Sequence, residues 1–144
     1  MIVRLAVAVL LAGALLGVGL PAAETARTER AATLTQNELI EFRDATVRFR
    51  THNDATRPER PGAVRIHTLR VPAGTTIRLG VGPHNESLRW KHDARRGRVE
   101  TDLPFARSVR LTAGSHRLRL RPVRVDGEVR IRLRRFKPDA GTTG

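Results

Sequence analysis

From residue 44 onward, apolar and polar positions alternate with a period of two, the rhythm of strands with one buried face. It is clearest in two copies of one short pattern, Leu69-Arg70-Val71-Pro72-Ala73-Gly74-Thr75-Thr76-Ile77-Arg78-Leu79 and Val109-Arg110-Leu111-Thr112-Ala113-Gly114-Ser115-His116-Arg117-Leu118-Arg119-Leu120. Each copy reads as a strand, a small-residue turn ending in glycine, and a second strand alternating apolar residues with arginine. The same alternation predicts strands at Ala45 to Arg50, Leu88 to Lys91, Arg98 to Thr101 and Val129 to Phe136. In the strand that starts at Val64, the apolar phase slips between His67 and Thr68, which predicts a bulge or a strand that changes sheets. Asp126-Gly127 predicts a hairpin turn, and Pro122 places its strand at an end or an edge.

About eight short strands with turn residues between them and no long helix predict an all-β fold, a single antiparallel β-sandwich of jelly-roll type over residues 44–137. Its inward set is Val47, Phe49, Ile77, Leu79, Leu88, Trp90, Val109, Leu111, Leu118, Leu120, Val129, Ile131 and Leu133. Residues 24–43 read as a flexible leader in which Thr35-Gln36-Asn37-Glu38, a capping box, opens one or two helical turns through Leu39, Ile40 and Phe42, the competing reading being an irregular edge strand over Leu39 to Phe42. Residues 138–144 read as a disordered tail.

The first residues follow a different pattern. Arg4 precedes an unbroken run of Leu, Ala, Val and Gly from Leu5 to Leu20, and Pro21-Ala22-Ala23 follows. A charge, an apolar stretch and then small residues predict a secretory signal peptide over residues 1–23, and hence a secreted or periplasmic domain with no membrane span after cleavage. An uncleaved membrane anchor is the alternative. With no cysteine in the chain, the fold is held by its core and not by disulfides.

Charge changes the picture most. The 144 residues carry a formal net charge of +13, and all basic residues except Lys91 and Lys137 are arginine. Removing Arg4 with the signal would leave +12, from 13 minus 1. Polyanion binding, through arginine's forked donors, and a GC-rich genome, which loads a chain with Arg, Ala, Gly and Pro, both account for arginine over lysine. Codon bias does not account for the excess of positive over negative charge. If the apolar positions face inward, Arg48, Arg50, Arg78, Arg89, Lys91, Arg110, Arg117, Arg119, Arg130, Arg132 and Arg134 face solvent. On adjacent strands such side chains stand about 5 Å apart at Cβ and repel one another. An anionic partner would relieve that repulsion. The expected partners are an anionic polysaccharide, a lipid head group or another polyanion. The competing reading is that these arginines blunt sheet edges and keep the domain soluble, leaving it to dock on another exported protein.

The stretch from about Val64 to Phe136 resembles the bacterial pre-peptidase C-terminal domain and related secreted jelly rolls. The matching pieces are Val71-Pro72-Ala73-Gly74, Leu88-Arg89-Trp90-Lys91-His92-Asp93, Leu111-Thr112-Ala113-Gly114 and Gly127-Glu128-Val129-Arg130-Ile131. His116 and Arg130 stand where that family usually has tyrosine. The resemblance implies an exported β-sandwich with an accessory, non-catalytic binding role.

Other chemistry finds little support. The only aromatics are Phe42, Phe49, Trp90, Phe105 and Phe136, too few and too inward for base stacking, so sequence-specific nucleic-acid binding is disfavoured. His52, His67, His84, His92 and His116 form no metal signature; His84 and His92, with Asp93 nearby, are the weak candidates for a metal or catalytic site. Ser87, Ser108 and Ser115 lack a nucleophile elbow, so neither an enzyme nor a cofactor is expected.

Overall fold

Ala32, Thr35, Leu39, Phe42, Thr46 and Phe49 recur at steps of three and four, which is the spacing of one helix face rather than of a strand. That spacing prevails. In the computed structural model, which describes residues 1–136, a single helix α1 (Ile2–His52) runs through the apolar segment, through Pro21, and on to the end of this face. At about 1.5 Å per residue it is roughly 75 Å long. Its first part is exposed, whereas Ala32, Thr35, Leu39, Phe42, Ala45, Thr46 and Phe49 are buried. The buried threonines cost nothing unpaired: Thr35 donates to the Ala31 carbonyl and Thr46 to the Phe42 carbonyl, each at 2.8 Å.

Among the described residues seven strands follow: β1 (Arg65–Val71), β2 (Thr75–Val81), β3 (Ser87–His92), β4 (Arg95–Glu100), β5 (Val109–Leu111), β6 (Gly114–Val125) and β7 (Glu128–Arg135). They form two antiparallel sheets, one ordered β1-β6-β7 and the other β4-β3-β2-β5. Both sheets and the second half of α1 contribute to one core, which includes Leu39, Phe42, Leu69, Ile77, Leu88, Leu118 and Ile131.

The fold is therefore mixed α/β. The all-β, jelly-roll-like sandwich expected from the alternation is overturned by α1, and so are two of its parts. The strand expected over Ala45–Arg50 is the last stretch of the helix, and the segment 24–43 is continuous helix rather than a flexible leader. Thr35–Glu38 lies in the helix interior and caps nothing. The reason is packing. Phe49 is buried from the helix, in phase with Leu39 and Phe42, while Val47 is only half-buried. The tail expected over 138–144 lies outside the described residues.

No bulge occurs at His67. β1 pairs with β6 without interruption from Arg65↔Leu120 to Val71↔Gly114, and His67 takes the inward position edge-on to Phe42, at 5.2 Å between ring centroids. Ile66, on the alternate phase, is exposed. The register shift sits instead in β2 between Leu79 and Val81, at Gly80 with φ 74°. A side chain there would press on the Arg107 carbonyl and on Phe105. Pro122 lies in β6 beyond Leu120, where pairing with β1 has ended, so its missing N–H breaks no ladder bond on that side. The turn at Asp126-Gly127 has φ 51° and 81°, as a two-residue hairpin of this type requires.

α1 runs along β4 in the same direction. Glu29 pairs with Arg95 at the start of β4, and Gln36 accepts a 2.6 Å hydrogen bond from the indole of Trp90, which lies opposite Gly97. At the far end, Arg43, Asp44, Val47 and Arg48 lie beside Glu100 and Asp102.

Candidate functional site

Strand pairing places the outward side chains of the four-stranded sheet in rows. Arg98 lies opposite Arg89, Arg89 opposite Arg78, and Arg78 opposite Arg110, so one row of arginines crosses all four strands. At about 4.8 Å per strand the row is roughly 14 Å long. A second row holds Arg96, Lys91 and Thr76. The six cations of the two rows are all exposed, and several line one open concavity with Gly74 and Asp93. Only Arg98, among the described residues, is neutralised on this face, by Glu100 two residues along its own strand. Among the described residues, Arg78, Arg89, Lys91, Arg96 and Arg110 make no ion pair.

The outer face of the other sheet is also basic, but several of its cations have local work. Arg119 lies opposite Arg134, and Arg121 opposite Arg132. Arg121 donates to the carbonyls of Arg57 and Pro58 and to the Thr56 hydroxyl, so it tethers the 53–62 loop. Arg117 stacks over Phe136 at 4.8 Å, and Arg130 pairs with Glu128 at 3.2 Å. Arg119, Arg132 and Arg134 remain as a smaller cluster.

The structure thus divides the sequence-predicted cations. Arg78, Arg89, Lys91 and Arg110 share one face, and Arg117, Arg119, Arg132 and Arg134 share another. Arg130 is drawn to Glu128. Arg48 and Arg50 do not belong to either sheet: both are on α1, Arg48 beside Glu100 and Asp102 and Arg50 with its Nε buried. The sequence reads Asp93–Gly97 as a turn, which hides Arg96, and gives Arg98 only as the first residue of a short strand through Thr101; the structure sets both beside Lys91 and Arg89. The turn is in fact two residues, Asp93-Ala94, with Asp93 at φ 50°. Gly97 is the signal that would have found them: it is the inward position facing Trp90, and a Cβ there would fall on the indole, 2.1 Å from Nε1.

The histidine candidates are not brought together. His84 lies before β3 and His92 ends it, a strand length of about 20 Å apart. The His92 ring bonds the Thr75 hydroxyl at 2.8 Å, with Asp93 at 3.6 Å from its other nitrogen. Ser87 donates its hydroxyl to the Val81 carbonyl at 2.7 Å and is buried. Burial, and then the nearby Arg65, push the pKa of His67 below the usual 6.5, against the smaller pull of Glu38 and Glu41.

α1 is long and apolar enough at its N-terminal end to cross a membrane, a property that signal sequences and membrane anchors share. No curated protein and no solved structure matches the chain. One family, described as a domain of unknown function (DUF7311), matches residues 2–136, the apolar helix and both sheets together, and the chain belongs to that family.

Proposed function

We propose that the chain is an exported, non-catalytic binding protein that holds an anionic envelope component, polymer or head group, on the outer face of the β4-β3-β2-β5 sheet. The apolar start of α1 directs it across or into the membrane, so that the folded part works outside the cytoplasm. The observation that carries the reading is the row Arg98–Arg89–Arg78–Arg110. Folding alone gives no reason to align Arg89, Arg78 and Arg110, none of them in an ion pair among the described residues, directly opposite one another, since like charges in that position destabilise a sheet. A chain of anionic groups laid across the strands removes the repulsion and releases counterions, and arginine's forked donors suit phosphate, sulfate and carboxylate oxygens.

Heparin affinity chromatography tests the reading. The wild-type chain is expected to bind and to elute above physiological salt. Arg78→Gln combined with Arg89→Gln should elute earlier and lower the slope of log affinity against log salt by roughly one unit per cation removed. Arg48→Gln combined with Arg50→Gln removes the same charge from the helix and should leave elution nearly unchanged. Flow-through at low salt, or equal shifts in the two double variants, overturns the proposal.

A further inference from the structure

We infer that α1 is retained as a membrane anchor and that the end of the domain bearing the β3–β4 turn rests on the anionic lipid head groups of the same membrane. The inference rests on the polyanion reading above and names the source of the anions.

Continuity is the first support. α1 passes without a break from the apolar run ending at Leu20 to the face that packs in the core from Ala32 onward, and the family match takes in both parts. A rigid helix fixes how far each group stands from the hydrocarbon. Glu29 is nine residues beyond Leu20, so it and its partner Arg95 lie about 14 Å along the axis. The head-group layer adds roughly 5 to 8 Å outside the hydrocarbon, and its potential reaches about a Debye length (8–10 Å) further. Arg95 therefore falls within the attractive zone, Arg30 lies at about the same height, and Arg27, seven residues beyond Leu20, falls deeper within it.

Direction is the second support. Because α1 and β4 run the same way, the end nearest the membrane is the one with Arg95, Arg96 and Lys91, where the second cationic row meets the β3–β4 turn. Its acids are Glu24, Glu29, already paired with Arg95, and Asp93 beside His92. The acids of the strand ends and turns gather at the opposite end: Glu86, Glu100, Asp102, Asp126 and Glu128. Arg43, Arg48, Arg57 and Arg124 stand among those acids, so charges at the far end largely offset one another, whereas at the end toward the bilayer Lys91 and Arg96 make no ion pair among the described residues.

The first test is intact-mass analysis of the full chain recovered from membranes of an exporting host. A mass that includes the apolar segment is expected, and a chain starting near residue 24 overturns the inference. The second test uses the absence of native cysteine. Full chains carrying Ala94→Cys, at the β3–β4 turn, or Glu59→Cys, at the other end, are dye-labelled and reconstituted into vesicles with quencher-labelled head groups. With about 30% phosphatidylglycerol, the dye at position 94 should be quenched more strongly than in pure phosphatidylcholine, and the dye at 59 should not respond. Substituting Lys91 or Arg96 by Gln should lower the docked-to-free ratio roughly fivefold each. Equal quenching at both positions or in both lipids overturns the inference. If heparin retention persists in that case, the polyanion reading stands and its ligand is a polymer. If retention is lost as well, both fail.

Discussion

Gly97 has no side chain because the indole of Trp90 occupies that space, with Nε1 and two further ring atoms within 2.6 Å of where a Cβ would be. The indole cannot retreat, since it donates to Gln36 on α1 and so joins sheet to helix. Gly97→Ala should therefore destabilise the domain by about 1–3 kcal/mol, as overpacking does, and weaken the helix contact as well. Chemical denaturation with Trp90 emission as the probe, the only tryptophan in the chain, reads both effects. His67 gives a second residue-scale expectation. Its pKa is lower in the folded state than the usual 6.5, so the unfolded chain takes up the proton first as pH falls. The contribution is complete above the unfolded value, is lost as pH drops through it, and levels off below the folded value. Melting temperatures from pH 8 to 5 should fall in the wild type and fall less in His67→Gln; parallel curves would rule this origin out.

At the scale of elements, most strands and hairpin turns from residue 65 onward were legible because alternation and turn residues are local signals; the first half of β4 was not, because Asp93–Gly97 reads as a turn. The Asp126-Gly127 turn and the inward set Ile77, Leu79, Leu88, Leu111, Leu118 and Ile131 needed no tertiary information. The helix was legible in part only. Val47-Arg48-Phe49-Arg50 alternates as a strand would, and nothing within those residues shows that Phe49 is in step with Leu39 and Phe42. Only a window long enough to hold the three-and-four spacing from Ala32 separates the two readings. His67 was hidden for a related reason: a histidine in an inward position looks like a break in phase until Phe42 arrives from the helix to meet it. The candidate face was partly legible, as outward arginines, but their alignment into rows depends on register, which the sequence leaves open. The structure makes α1 part of the core rather than an appendage. Leu39→Ala and Phe42→Ala, both fully buried, should each cost about 3–5 kcal/mol. Leu15→Ala, in the exposed stretch, should leave the unfolding midpoint unchanged.

At the scale of the whole molecule, the rows of arginines predict opposite salt dependences for stability and for binding. A net charge of +13 and like charges directly opposed across four strands mean that the folded state works against its own repulsion. Raising sodium chloride from low to moderate ionic strength screens that repulsion, so the melting temperature should rise. The same change should weaken polyanion binding steeply, because each neutralised cation had released a counterion. At constant low salt, a saturating polyanion should raise the melting temperature further, through preferential binding to the folded state; at a hundred times the dissociation constant this is worth about 2.7 kcal/mol. Replacing Arg78 and Arg89 together by Gln should reduce both responses, as one set of side chains underlies them. Calorimetry across a salt series, with and without heparin, separates the contributions. A melting temperature that falls with salt would mean that attractive ion pairs dominate the folded state, and the repulsive row would then have no energetic weight to offer a ligand.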